Sequence, residues 1–125
     1  MIYCANIYCC RGTFENLQNI DEEHYNKDIY AFAYKEDERA TNLMCKPVKG
    51  KIIKSDGSFP SYNFYEYKTN GKDLKKNGVS LYARFFTDTY EEAVEGFNML
   101  IDSLQKEIIK LDNMLIKKGE MYEMP

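Results

Sequence analysis

The last third of this chain carries an unbroken heptad pattern of apolar residues, and that pattern restricts the fold more than any other feature. The apolar positions lie alternately four and three residues apart, which is typical of a helix that packs along one face. They are Tyr90, Val94, Phe97, Ile101, Leu104, Ile108, Leu111 and Leu115. Thr89 and Glu92 form a capping box in front of the pattern, and the Lys-Lys-Gly sequence at 117–119 is a stop signal. We therefore predict one helix over residues 90–118, roughly 43 Å long.

A helix of that length is longer than the sheet of so small a domain can cover. Its first half can pack on the sheet, whereas its second half, where Leu100, Ile109 and Ile116 widen the apolar stripe, needs a partner. We therefore expect a two-fold homodimer, or a higher oligomer, formed through this helix. Its seam would consist of Ile101, Leu104, Ile108 and Leu111. The alternative is a helix that bends back onto its own sheet.

Five segments before the helix have the composition and alternation of strands. They are residues 2–10, 29–34, 48–54, 62–68 and 79–86. A short helical turn is expected at 14–20, and a polar loop at 21–28. The sequence therefore predicts an α+β fold, in which an N-terminal antiparallel β-sheet is followed by a long C-terminal coiled-coil-like helix. Residues 1–125 would form a single domain, with a β-rich ligand-binding part at 1–88 and a dimerisation helix at 89–118.

The residues that usually carry catalysis are scarce. The four cysteines, Cys4, Cys9, Cys10 and Cys45, form no C-x-x-C pair, and His24 is the only histidine. No P-loop, dinucleotide glycine fingerprint or metalloprotease helix is present. We therefore expect no metal site, no cofactor and no enzymatic activity. The sequence shows neither a targeting signal nor an apolar stretch of the ~20 residues that a membrane span needs, so we expect a cytoplasmic protein with no membrane partner.

The charge of the chain is distributed unevenly. The net charge is −3, yet residues 46–84 contain nine basic side chains against three acidic ones. A basic block of this size in an acidic protein suits a small anionic ligand better than duplex nucleic acid, which needs an extended basic face. The alternative is that these lysines are ordinary solvated residues of strands and turns.

The candidate binding site lies in the last predicted strand, at 79–86. Alternation along a strand would place Tyr82, Arg84 and Phe86 on one face, with the guanidinium between two aromatic rings. Arginine beside aromatic rings can hold a phosphate while a base stacks. The alternative is that Arg84 pairs with Asp88. Arg11, next to a glycine at the end of the first predicted strand, is a second candidate phosphate contact.

Two segments and the overall layout resemble a known family. The segments are IYCANIYCC at 2–10 and YARFFTDTYEEA at 82–93, and the layout is a β-rich part followed by a long helix. The chain resembles the first Thoeris anti-defence family, phage proteins that act as sponges for nucleotide immune signals. The resemblance implies that a cyclic ADP-ribose isomer is bound and left intact in the host cytoplasm, which inhibits host antiphage defence. It also implies that Arg84 contacts phosphate, that Phe59 stacks on adenine and that Asn70 reads the base.

Two other classes of function remain open. One is a phage-type inhibitor that binds a host protein through an acidic surface. The other is a coiled-coil scaffold, in which Arg84 and the lysines of the middle block could be replaced without effect.

Overall fold

The computed structural model describes residues 1–9, 14–33, 45–55 and 61–115. In that part of the chain, seven strands form one sheet and a long helix follows them. The elements are β1 (Ile2–Cys4), β2 (Leu17–Asn19), β3 (Asp28–Ala33), β4 (Cys45–Lys54), β5 (Tyr62–Glu66), β6 (Val79–Ser80), β7 (Phe85–Thr87) and α1 (Tyr90–Met114). The order across the sheet is β2-β1-β7-β3-β4-β5-β6. The predicted α+β class, with the sheet first and the long helix last, is confirmed.

The strand predicted at 2–10 ends early, at Cys4, and the last residue of the prediction, Cys10, lies outside the described residues. The side-chain oxygen of Asn6 accepts a hydrogen bond from the backbone N–H of Tyr8 at 2.9 Å, and that of Asn19 accepts one from Ile7 at 2.8 Å. Because side chains take these backbone donors, the segment forms a 3₁₀ turn at Ile7–Cys9 instead of a longer strand.

The helical turn predicted at 14–20 is also wrong. Leu17–Asn19 forms β2, which runs parallel to β1 with Leu17 opposite Ile2. The backbone N–H of Ile20 then donates to the carbonyl of Cys4 at 2.7 Å and extends the pairing. Each of the other neighbouring strand pairs in the sheet is antiparallel, so the predicted antiparallel sheet holds except at this edge.

The three middle strands are confirmed with shifted ends. The prediction at 29–34 corresponds to β3, the one at 48–54 to β4 and the one at 62–68 to β5. Tyr34, the last residue of the strand predicted at 29–34, lies outside the described residues. An irregularity between Ala31 and Ala33 shifts the register of β3 against β4.

The predicted strand at 79–86 is broken in the middle. It consists of β6, a 3₁₀ turn at Leu81–Ala83, and β7. The Ser80 hydroxyl accepts a hydrogen bond from the backbone N–H of Tyr82 at 3.2 Å and caps the turn. The chain thereby leaves β6 at one edge of the sheet and re-enters between β1 and β3.

This crossing requires a strongly curled sheet. Four steps of about 4.8 Å separate β6 from β7 across the sheet, or roughly 19 Å if it were flat. The chain from Ser80 to Phe85 could span only about 17 Å fully extended, and part of it is a compact turn. Val79 and Leu81 pack against the buried cluster on one face, so that face is the concave one.

The core consists of two clusters on opposite faces of the sheet. The concave face buries Ile20, Ile29, Ala31, Ile52, Phe64 and Phe86. The other face buries Phe32 against Ala93 and Leu100 of α1. Adjacent residues of β3, Ala31 and Phe32, therefore serve different clusters, as the alternation of a strand requires.

Helix α1 begins where the capping box predicts. The Thr89 hydroxyl accepts a hydrogen bond from the backbone N–H of Glu92 at 3.2 Å. The helix ends at Met114, because Leu115 has extended backbone angles, and it is therefore shorter than the predicted 90–118. The stop signal at 117–119 lies outside the described residues. No helix within those residues has both the length and the apolar character to cross a membrane.

The most deeply buried face of the helix is not the heptad stripe, although Phe97 of that stripe packs against the same cluster. Its buried residues are Ala93, Gly96 and Leu100. A Cβ atom at Gly96 would lie 2.7 Å from the ring of Phe32, so the missing side chain lets the helix approach the sheet closely. The heptad residues Ile108 and Leu111 are 56% and 58% exposed.

Candidate functional site

Arg84 lies at the end of the 3₁₀ turn that crosses from β6 to β7. Its guanidinium is half-buried and donates to the Ala83 carbonyl at 2.9 Å. Among the described residues, it forms no ion pair with a carboxylate. The alternative partner, Asp88, instead accepts a hydrogen bond from the Tyr3 hydroxyl at 3.0 Å. Burial raises the pKa of Tyr3 to about 12, and the bond to Asp88 adds to that rise.

The charges of Arg84, Glu66 and Lys75 all act on the Cys45 thiol, and the guanidinium of Arg84 also hydrogen-bonds to that thiol. We call these four residues the Arg84 cluster: Cys45, Glu66, Lys75 and Arg84. The ammonium of Lys75 lies 2.9 Å from a carboxylate oxygen of Glu66. Burial raises the pKa of the Cys45 thiol, and the positive charge of Arg84 opposes that rise. The cluster thus combines two cations with one carboxylate and carries a net positive charge.

The two aromatic rings predicted to flank Arg84 lie in different environments. Tyr82 is exposed on the 3₁₀ turn, whereas Phe86 is 0% exposed and its ring centre lies 5.6 Å from that of Phe64. The predicted exposed face is therefore wrong for Phe86. The reason is that the turn interrupts the strand, so the alternation of residues 79–86 does not continue through it.

Asn70 has a role in its own turn. Its side-chain oxygen accepts hydrogen bonds from the backbone N–H groups of Lys72 and Asp73, and its amide group donates to the Asp73 carboxylate at 2.9 Å. Gly71 beside it has a φ of 70°, which favours glycine. The predicted role in reading a base stays a prediction. The other two candidates, Arg11 and Phe59, lie outside the described residues.

Other members of the basic block are paired on the sheet surface. Lys49 and Lys51 lie 3.4 Å and 4.0 Å from the carboxylate oxygens of Asp28. A hydrogen bond from the Tyr67 hydroxyl lowers the pKa of Asp28, and the same bond raises the pKa of Tyr67. The positive charges of these two lysines are therefore partly neutralised. For these two residues, this agrees with the alternative that the lysines of the basic block are ordinary solvated residues of strands and turns.

His24 stabilises a local turn. Its Nδ1 accepts a hydrogen bond from the backbone N–H of Asp21 at 3.2 Å, and its ring lies 4.1 Å from that of Tyr3. Within the described part of the chain, no three His, Cys, Asp or Glu side chains are arranged to hold a metal ion.

Sequence reasoning identified Arg84 but did not place Cys45, Glu66 or Lys75 beside it. Lys75 was recognised only as one member of the basic block, and nothing in the sequence joins the other two to Arg84. No family model, no curated protein and no solved structure matches the chain. Membership of the Thoeris anti-defence family therefore stays a hypothesis.

Proposed function

We propose that the protein sequesters a small anionic nucleotide, a cyclic ADP-ribose isomer, and thereby inhibits host antiphage defence without chemical turnover. The observation that supports this proposal most directly is the burial and pairing of the Arg84 guanidinium. Its guanidinium is half-buried, and no carboxylate in the described residues pairs with it. A cation partly removed from water is stabilised by an anionic partner, and phosphate matches the fork of donors on arginine.

The residues near Arg84 in the fold are compatible with a nucleotide phosphate. Lys75 is a second cation, although it pairs with Glu66, and the exposed ring of Tyr82 belongs to the turn that Arg84 ends. An aromatic ring beside phosphate-binding cations provides a surface on which a base can stack. The identity of the nucleotide comes from the family resemblance.

We further propose that the protein acts as a homodimer formed through α1. The second half of the helix exposes Ile108, Leu111 and Leu115 to solvent in the single chain. A second copy that covers this stripe would remove its apolar area from water.

The test is a calorimetric titration of the protein with cyclic ADP-ribose isomers. We expect Arg84→Ala to weaken binding by about tenfold or more, because a charge-assisted hydrogen bond to phosphate contributes about 1.5–3 kcal/mol. Lys106→Ala is the matched control: it also removes one positive charge, but Lys106 pairs with Asp102 on the helix, away from the cluster. The control should bind like the wild type.

Equal affinity of Arg84→Ala and the wild type would contradict the assigned site, provided that circular dichroism shows both proteins to be folded. Failure of every cyclic ADP-ribose isomer to bind the wild-type protein would contradict the proposed function itself.

A further inference from the structure

A cleft separate from the Arg84 cluster lies between the N-terminal strand and the first half of α1. Its volume is about 770 Å³. It is lined by Met1, Ile2, Phe14, Glu15, Asn16, Glu92, Glu95, Gly96 and Met99. A cleft of this size is within the range of small-molecule sites in proteins.

The floor of the cleft is apolar, and aromatic rings of the sheet fix the position of its main side chain, Phe14. The ring of Phe14 meets the rings of Phe32 and Phe85 edge-on, with centres 6.2 Å and 5.2 Å away. Gly96 and Met99 line the cleft from the helix, and Met99 is 51% exposed. The apolar surface therefore exists before any ligand binds, which lowers the entropic cost of binding.

The side chains that line the cleft carry an excess of negative charge. The carboxylate of Glu92 is occupied, since it pairs with the N-terminal ammonium and accepts a hydrogen bond from the Thr89 hydroxyl. Glu15 and Glu95 are both exposed and, among the described residues, have no ion-pair partner. Two uncompensated carboxylates therefore border an apolar floor. That combination disfavours an anionic nucleotide and complements a cation with an apolar body.

We propose that this cleft binds a small organic cation, a primary amine carried on an aryl or alkyl body. The body packs on Phe14 and Met99, and the ammonium lies near the carboxylates of Glu15 and Glu95. No residue of the Arg84 cluster takes part, so the proposal does not depend on nucleotide binding.

The probe is 4-phenylbutylamine, titrated into the ¹⁵N-labelled full chain and followed by NMR. We expect shifts confined to the cleft-lining residues and weaker binding at high salt, because partly exposed ion pairs are screened. The neutral 4-phenylbutanol should bind about fivefold more weakly and 4-phenylbutyrate should not bind, because only the amine gains from both carboxylates.

Matched variants locate the site. Met99→Lys places a cation in the cleft and should abolish binding of the amine. Met114→Lys makes the same change on the same helix outside the cleft, at a methionine that is 68% exposed, and should have no effect. Glu15→Gln combined with Glu95→Gln should weaken binding about fivefold, whereas Glu107→Gln should not.

Shifts spread over other surfaces, equal binding of the amine and the carboxylate, or undiminished binding to Met99→Lys would each overturn the proposal. So would binding of a basic amphipathic peptide in the cleft without binding of the amine, because the partner would then be a protein. Arg84→Ala should keep the wild-type response to the amine, which separates this test from that of the proposed function.

Discussion

At the scale of single residues, Gly50 in β4 shows how tightly the concave core is packed. It is buried, and a Cβ atom built there would lie 2.2 Å from the backbone oxygen of Tyr65 and 2.5 Å from the ring of Phe64. The ring of Phe64 thus occupies the space that a side chain at position 50 would take. A backbone oxygen held in a β-ladder cannot move aside without breaking the strand pairing.

We therefore expect Gly50→Ala to lower the free energy of unfolding by about 3 kcal/mol, at the upper end of the range for overpacking. Gly71→Asn is the control. Gly71 has open space around its Cβ direction, and asparagine tolerates its positive φ, so this variant should stay within about 0.5 kcal/mol of the wild type. Urea unfolding measures both values. A stability of Gly50→Ala equal to that of the control would mean that β4 and β5 are packed less tightly than described.

At the scale of elements, α1 divides its length between two environments. Its first half buries Ala93, Gly96 and Leu100 against the sheet. Its last part extends past the sheet and is exposed on every side from Gln105 to Leu115. The exposed apolar side chains on this part are Ile108, Ile109, Leu111, Met114 and Leu115. A helix end so rich in exposed apolar surface favours association with a second chain.

We expect the wild type to be a dimer, and Ile108→Asp combined with Leu111→Asp to be a monomer. Each of these side chains would bury area worth about 1.5–3 kcal/mol in the seam, and a charge there would oppose association. Light scattering gives the mass. Asn113→Asp adds a carboxylate to the same part of the helix, but on the side opposite Ile108 and Leu111, so this variant should remain a dimer. A wild-type monomer, or an unchanged mass of the double variant, would contradict the seam.

At the scale of the whole molecule, the curl of the sheet assembles the Arg84 cluster from distant parts of the chain. Cys45 begins β4, Glu66 ends β5, Lys75 lies in the connection to β6 and Arg84 precedes β7. Two members of the cluster, Lys75 and Arg84, are cations, and Lys75 pairs with Glu66. Burial raises the pKa of its thiol, which disfavours the nucleophilic thiolate.

We therefore expect a bound cyclic nucleotide to be returned intact. Hydrolysis of a glycosidic or phosphoester bond needs a positioned general acid or base, or a metal ion that activates water. After incubation, denaturation and chromatography, the ligand should be recovered in near-stoichiometric yield. Arg84→Ala, which should retain less ligand, is the matched comparison. Accumulation of a linear product beyond one equivalent per chain would identify the protein as an enzyme.

The sequence by itself determined those features that depend on near neighbours. The start of α1 follows from the hydroxyl of Thr89 and the backbone of Glu92, which lie within one helical turn. Apolar and β-branched residues were sufficient to predict β3, β4 and β5. The α+β order of sheet and helix follows from these elements. The identification of Arg84 as a candidate also came from the sequence, although the strand assumed for it is broken.

Only the tertiary structure decided the features that depend on residues far apart in the chain. Asn19 ends the first strand by accepting a hydrogen bond from Ile7, and no local pattern contains that contact. The choice of Ala93, Gly96 and Leu100 as the buried face of α1 depends on the shape of the sheet, with Phe32 filling the space beside Gly96. Phe86 lies in the core, and not on the exposed face expected from alternation, because the turn at Leu81–Ala83 interrupts the strand. Periodicity records which side of an element is apolar, but the surface that covers that side is set by packing between distant segments.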